Sequence, residues 1–592
     1  RGRCYRDPRG GDGALHSGTG RTVAGAFCPS YWYNQQDHLI VRPDPTRSPF
    51  MRARAIVASL LLGSALGAGG WWVGQGQSDP PPLTPVLEPE VGARLFEQVQ
   101  TLIATRYVDS IPLDSIYRKA IAGLVEELDD PYSSFLTEQR MRRLTEQMNG
   151  EYVGVGMQLG ERDGWATVIE PFSGGPAERA GVQAGDRVVA VAGESTRRLS
   201  NEDVIRLIRG LPGSSVSLTI DRLGAERFTV TLAREAVMRR AVPRVTMLRP
   251  SVGYVDVNVF GANTAAELKV ALDSLTRLGA RSVLLDLRGN PGGLLEQGVA
   301  VAELFLDPDQ RIVELRGRPG SAAELIYDRA PQAWPRLSLA VLIDGNSASA
   351  SEIVAGALQD HDRAVIVGRT SFGKGSAQSV FPMTTGGALR LTTARWFTPL
   401  GRSISPSIDS VTESGQRVRV LPDSARPRYT TPMGRMVLGG GGIVPDVMAG
   451  DTAQPAPVQA FVRALGAETA RYRDAVARTA LTLKQRGTFR SAQEPVTREM
   501  VEAVWEEMAR RRLPVDRATF DAASPWIARA LGYEVARVAF GPDAEFMRRA
   551  QNDPTITRAL RLLDGAGTPR DPFSRVDDPG VLLPMPEPTF EE

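Results

Sequence analysis

The chain has 592 residues and a formal net charge of +2, with 42% hydrophobic and 23% charged residues. That length suits three or four domains, and the ordinary globular composition excludes a fully disordered chain and a polytopic membrane protein. The near-neutral charge leaves no global basic footprint for nucleic acid. Of the 70 basic residues only Lys119, Lys269, Lys374 and Lys484 are lysines, so each of them raises the question of why arginine would not serve.

Residues 1–50 are a Gly/Arg/Pro-rich mixture without helical or strand period, and the first methionine is Met51. Translation is expected to start there, with residues 1–50 an artefact of gene delimitation; the alternative is a disordered leader. Met51-Arg52-Ala53-Arg54 and the apolar run 55–73 form the basic and hydrophobic parts of an export signal. At about 19 residues the run is just long enough to cross a bilayer. Ala68-Gly69-Gly70 offers a cleavage site, whereas Trp71 and Trp72 suit a membrane interface. Residues 51–74 therefore read as a signal peptide or a membrane anchor, with membrane contact through 55–73 if uncleaved. The mature protein is expected to be exported, either periplasmic or anchored in the cytoplasmic membrane facing the periplasm. Residues 75–89, with five prolines, read as an extended linker. Both cysteines, Cys4 and Cys28, and two of the three histidines precede Met51. The exported part then has no disulfide, thiolate metal site or cysteine nucleophile, and no metal or cofactor is expected.

Residues 90–150 read as helical. Val91, Leu95, Val99 and Leu102, then Ile121, Leu124, Val125 and Leu128, recur at helical spacing, and Leu128-Asp129-Asp130-Pro131 stops the second helix. Residues 151–236 change character. Short β-rich runs at 166–169, 187–191, 216–220 and 228–232 are separated by Gly-rich turns, with one helix at 201–209. Gly154-Val155-Gly156-Met157 opens the unit and Ala180-Gly181-Val182-Gln183-Ala184-Gly185-Asp186 follows a Pro-Ala helix start. This pattern resembles a PDZ domain. The backbone N–H groups of Val155, Gly156 and Met157 are expected to take a substrate's terminal carboxylate, the peptide adding as a strand. Val204 and Ile208 are expected to line a pocket for its last side chain.

From 237 to 450 strands and helices alternate. Buried-strand runs at 282–287, 339–343 and 364–368 interleave with helical stretches at 294–306 and 352–359, which argues an α/β core with a largely parallel sheet. Residues 451–565 are helical again. Met500, Val501, Val504, Trp505 and Met508 share one face, and Trp526, Ile527, Ala530, Leu531, Val535 and Val538 another, with Ser524-Pro525 as N-cap and first helical residue. The Pro/Asp-rich residues 566–592 read as a disordered tail.

The chemistry concentrates in two segments. Ser347-Ala348-Ser349-Ala350-Ser351-Glu352 lies between a buried strand and a helix, where the unpaired N–H groups of the first turn can stabilise an oxyanion; spacing alone does not choose among the three serines. Gly368 to Lys374 imitates a P-loop, but Gly375 stands where Ser or Thr must follow the lysine and 376–383 looks extended, so nucleotide binding is not expected. What remains is a lysine between glycines in a chain that chose arginine 66 times. Arginine keeps its proton; a buried lysine can lose it and act as a general base. A serine–lysine dyad follows. A Ser–His–Asp triad would have to use His361, at the far end of the helix that starts beside the serines, about 15 Å away.

The chain here resembles the C-terminal processing peptidases, or tail-specific proteases. The motifs are Leu128-Asp129-Asp130-Pro131-Tyr132-Ser133-Ser134-Phe135, the PDZ unit, Asp286-Leu287-Arg288-Gly289-Asn290-Pro291-Gly292-Gly293, the Ser347 to Asp360 block, Thr370 to Gln378, Thr398-Pro399-Leu400-Gly401-Arg402 and Gly442-Ile443-Val444-Pro445-Asp446. The resemblance implies Ser349 as nucleophile, Lys374 as base and Gln378 as the group that orients the lysine. It implies an oxyanion hole from the N–H of Ala350 and that of Gly292 or Gly293. The fold it implies is multidomain α+β: a helical N-terminal region, a β-rich PDZ domain, an α/β serine-protease core with a largely parallel sheet and a helical C-terminal region. The function is that of an exported serine endopeptidase that captures unstructured protein C-termini, in envelope protein processing or degradation, with an adaptor protein as a further partner and the oligomeric state left open. The competing readings are a catalytically silent PDZ scaffold and a PDZ-bearing protease with a histidine triad.

Overall fold

The computed structural model describes residues 88–578 apart from 163, 173, 223–224, 239, 385, 412–416, 420–421 and 451–453. The export segment, the linker up to residue 87 and the leader lie outside the described residues, and among the described residues no helix is long and apolar enough to cross a membrane.

Two helices, Pro89–Arg106 and Leu113–Glu126, open the described chain. Their apolar residues, Leu95, Phe96, Leu102 and Leu124 among them, stay largely exposed. The strand Ser134–Leu136 then pairs antiparallel with the strand Ala388–Phe397, Ser134 opposite Arg390. The helix Glu138–Asn149 follows. Its N-terminus is capped by Thr137, whose hydroxyl accepts from Arg140 N–H, and Gly150 in the left-handed region ends it.

The next unit is an antiparallel sheet in the order Met157–Arg162, Trp165–Pro171, Arg187–Val191, Ser215–Asp221 and Phe228–Ala233. A separate ladder between Glu151–Gly154 and Glu235–Met238 closes its neck. The alternation along Ser215–Asp221 buries Val216, Leu218 and Ile220 on one face. Val204 and Ile208 of the helix Asn201–Ile208 pack into that same core at 0% and 4% exposure. This corrects the expected side-chain pocket. The two residues are the strip that holds the helix to the sheet, so they line no open groove.

The largest layer is a six-stranded sheet in the order Arg244–Arg249, Val252–Asp256, Ser282–Asp286, Ser338–Ile343, Val365–Gly368 and Val447–Met448. Its first pair is antiparallel and the rest parallel. Helices cover both faces, which is why Ser282–Asp286 and Ser338–Ile343 are buried at every position rather than alternating. One face carries the helices Thr264–Arg277, Leu295–Glu303 and Ala350–Asp360. The other is covered by Pro554–Leu563 and the 3₁₀ turn Asp571–Arg575. Beside this sheet stands an antiparallel one, in which Ala388–Phe397 lies between Ser134–Leu136 and Arg311–Arg316 and also pairs with Ser376–Pro382.

The helices Ala456–Leu465, Thr469–Gln485, Arg498–Arg510 and Arg517–Val535 have their own core around Phe461, Tyr472, Phe520, Ile527 and Leu531. Three expectations change here. The fourth helix starts at Arg517 under an Asp516 cap and runs through Pro525, because its buried face outweighs the backbone hydrogen bond that proline forfeits. The helix Pro554–Leu563 belongs to the parallel sheet rather than to the bundle. The segment 566–578 is folded: Ala566 and Phe573 are buried, and the Arg435 guanidinium lies 4.5 Å from the Phe573 ring centroid.

Candidate active site

Loops leaving the carboxyl ends of parallel strands converge at one edge of a sheet, the usual place for a site in such folds. Here the strands Ser282–Asp286, Ser338–Ile343 and Val365–Gly368 feed the segments 287–294, 344–349 and 369–375.

The middle segment separates the three serines. Ser347 is 0% exposed; its hydroxyl donates to Leu287 O (2.8 Å) and accepts from Asp344 N–H (2.9 Å). Ser351, also 0% exposed, donates to Asn290 O (3.0 Å). Both hydroxyls are committed to holding loops together. Ser349 is half-buried and stands at φ 56°, ψ −114°, directly before the helix Ala350–Asp360. A side-chain-bearing residue in the left-handed half of the map stores strain, which persists only where its surroundings enforce it.

The enforcement comes from Asn290 and Glu352. Asn290, 0% exposed, accepts Ala348 N–H (3.0 Å) on its backbone oxygen and Gly292 N–H (2.8 Å) on Oδ1, and its Nδ2 donates to Val257 O (2.6 Å). Gly292 packs onto the serine turn so closely that a Cβ there would lie 2.6 Å from Ala348 O and 2.8 Å from Ser349 Cβ. The Gly292 N–H, one of the two expected oxyanion donors, is thus spent on Asn290 Oδ1.

Glu352, 0% exposed, gathers four donors. Oε1 accepts Ser371 Oγ–H (2.6 Å) and Gly373 N–H (2.7 Å); Oε2 accepts Ser349 N–H (2.7 Å) and Lys374 N–H (2.9 Å). One carboxylate oxygen thus clamps the backbones of Ser349 and Lys374. Burial pushes the Glu352 carboxyl up, and the four donors oppose that shift. The Lys374 carbonyl is held in turn by Trp396 Nε1–H at 3.1 Å.

Burial lowers the Lys374 ammonium below the ordinary lysine value; the Arg390 charge acts in the same direction, against Glu352 and Asp130. Its Nζ lies 4.8 Å from the Tyr132 ring centroid. Gln378 Nε2 donates to Ser376 Oγ (2.9 Å) and Thr392 Oγ1 (3.3 Å), anchoring the strand that leaves the lysine loop. That strand, Ser376–Pro382, stands where a P-loop would need a helix. His361 ends the helix Ala350–Asp360, and its Nε2 is 2.7 Å from Arg311 O, away from Ser349 at the other end. The three N–H positions of Val155, Gly156 and Met157 lie where the Glu151–Gly154 ladder gives way to the sheet strand Met157–Arg162, with Val155 and Gly156 buried. Among the described residues no cluster of three or more His, Cys, Asp or Glu is placed to hold a metal ion.

Sequence reasoning missed Asn290, Glu352 and Tyr132 as parts of this site. Asn290 and Tyr132 stood inside quoted motifs, and Glu352 three residues after Ser349 is a capping-box spacing.

Residues 251–412 match the profile of peptidase family S41, residues 168–222 that of a PDZ domain, and residues 88–140 that of the activating protease CtpB N-terminal domain. The carboxy-terminal processing protease CtpA of Bacillus subtilis (strain 168) is 32% identical over 341 residues, which cover 57% of this chain and 70% of that protein. The chain belongs to the C-terminal processing peptidase family. A probable CtpA-like serine protease of Staphylococcus aureus (strain COL) is likewise 32% identical over 335 residues, covering 56% of this chain and 67% of the relative. Among solved structures, a photosystem II D1 C-terminal processing protease is 28% identical and covers 64% of this chain and 92% of its own, with a TM-score of 0.34. For this C-terminal processing peptidase, the S41 range holds Asn290, Ser349, Glu352 and Lys374, and the range matched by the CtpB N-terminal domain holds Tyr132. The protein is a serine protease of mixed α+β fold with a PDZ domain. The helices from Ala456 onward lie beyond all three matched ranges.

Proposed function

We propose that this protein is an exported serine endopeptidase that recognises protein C-termini through its PDZ domain and cuts peptide bonds with a Ser349–Lys374 dyad. The observation that carries the reading is the difference among the three serines: two hydroxyls are buried and bonded, while the strained third shares a carboxylate clamp with the lysine backbone. Lys374 as a neutral amine takes the Ser349 proton while Oγ attacks the scissile carbonyl carbon. The oxyanion that forms is met by the N–H groups of Ala350 and Gly293. The lysine ammonium returns the proton to the leaving amine, and water then hydrolyses the acyl-enzyme by the same route. Gln378 is the orienting group, fixed through Ser376 and Thr392 at the start of its strand.

Tail recognition is tested with unfolded peptides that differ only in a free or amidated C-terminus. Loss of one charge-assisted hydrogen bond costs about 1.5–3 kcal/mol, so amidation is expected to raise KM by roughly 10- to 100-fold. Equal kcat/KM for the two forms would reject the tail-recognition reading and leave a general protease. Export is tested by N-terminal sequencing of native protein. A mature end near Trp71 marks a cleaved signal, Met51 an anchor, and peptides from 1–50 a translation start upstream of Met51.

A further inference from the structure

The segment between the second helix and the strand Ser134–Leu136 is folded into the catalytic half of the molecule, although more than two hundred residues separate them in sequence. Asp130 organises it: its carboxylate accepts Tyr132 N–H (3.1 Å) and Ser133 Oγ–H (2.5 Å). Ser133 Oγ also accepts Thr392 N–H at 3.1 Å, and Ser134 and Phe135 pair with Arg390 and Leu389. This docking sets the Tyr132 ring against Lys374 Nζ at 4.8 Å, within the range in which an aromatic face attracts a cation.

We propose that Tyr132 is a positioning residue for Lys374: its ring face keeps water from the amine and receives the ammonium that forms when Ser349 gives up its proton. The inference rests on Lys374 being the general base. A neutral amine has little attraction for the ring face and an ammonium has much, so the contact strengthens as charge develops in the transition state. The surrounding charges act in both directions. Glu352 and Asp130 favour the ammonium through space while their oxygens accept from other donors, and Arg390, with Nε buried and unpartnered, repels it, so the ring adds a face contact at Nζ to an otherwise divided field. The Tyr132 hydroxyl is pushed up by burial and by the Glu352 and Asp130 charges, so it stays protonated and adds no competing charge.

Replacement by leucine keeps an apolar cover but removes the ring face. Tyr132→Leu is expected to lower plateau kcat about 3- to 30-fold with little change in KM, and to move the Lys374 titration down by up to about one pH unit. Tyr132→Phe is expected to rescue both. The titration is read without turnover: with only four lysines, the full chain carrying Ser349→Ala and 13Cε-lysine gives few signals, and Lys374→Ala assigns the relevant one. A lower rate with the Lys374 midpoint unmoved or moved up would mean that Tyr132 only supports the loop and would overturn the proposal, as would wild-type behaviour of Tyr132→Leu. Activity retained in Lys374→Ala is a different result: it removes the dyad itself.

Discussion

Replacing Ser349 with alanine is expected to lower turnover at least about 10⁴-fold, the scale set by removing a nucleophile that acts as part of a unit. The melting temperature should stay near wild type, because the fold uses the backbone of Ser349, which alanine preserves. Lys374→Ala should be comparably inactive. Lys374→Arg is the sharper variant: it keeps positive charge and length, but guanidinium does not give up a proton at working pH and so cannot act as the base. The pH dependence follows in sign. Only the neutral amine accepts the serine proton, so kcat/KM rises as pH climbs through the Lys374 pKa. Burial and the nearby Arg390 place that rise below the pH at which an ordinary solvated lysine titrates. Kinetics on one unfolded substrate, with melts of each variant, check all three. Activity retained in Ser349→Ala would remove the residue from the mechanism, and neither Ser347 nor Ser351 could take its place without breaking a buried hydrogen bond.

Lys374 was legible in the sequence because arginine had been chosen almost everywhere else, and a base is the one task arginine cannot do. The serine run was legible as a site, but its spacing did not choose among the three serines; only the family resemblance pointed to Ser349, without a physical reason. That choice depends on which hydroxyls meet the carbonyls of Leu287 and Asn290, some sixty residues away in sequence. Tyr132 was hidden for the same reason at longer range: its place over Lys374 follows from the pairing of Ser134 with Arg390. The helical period at 201–209 correctly marked Val204 and Ile208 as one face. Periodicity gives a face and not what it packs against, so core was mistaken for groove. The PDZ strands and the parallel sheet emerged nearly as read, since both follow from short-range patterns of two and from uninterrupted apolar runs. Pro525 and the segment 566–578 were misread because local breakers yielded to burial.

Glu352 supplies the expected result that most clearly separates architecture from chemistry. It touches no substrate, yet its two oxygens hold Ser349, Ser371, Gly373 and Lys374. Alanine would leave four buried donors without acceptors. An unsatisfied buried polar group costs about 1–3 kcal/mol, so Glu352→Ala should be strongly destabilised and at least about 100-fold slower in kcat, with KM little changed. Glutamine is the discriminating replacement. Its single carbonyl oxygen can still receive Ser349 and Lys374 N–H if the amide nitrogen turns toward Ser371, whose hydroxyl can accept. Two donors then lose their acceptor: Gly373 N–H, left facing the amide nitrogen, and Ser371 O–H, which must turn away. At about 1–3 kcal/mol for each unsatisfied group, Glu352→Gln should be destabilised by about half as much as alanine while keeping the Ser349–Lys374 clamp, with kcat falling only about 10-fold. The order wild type, Gln, Ala should hold in both melting temperature and kcat, whereas Ser349→Ala separates the two by losing rate alone. Wild-type kcat in a folded Glu352→Ala protein would show that the serine and lysine loops find their places without the shared carboxylate, and the strained turn at Ser349 would then be held by Asn290 and the close approach of Gly292.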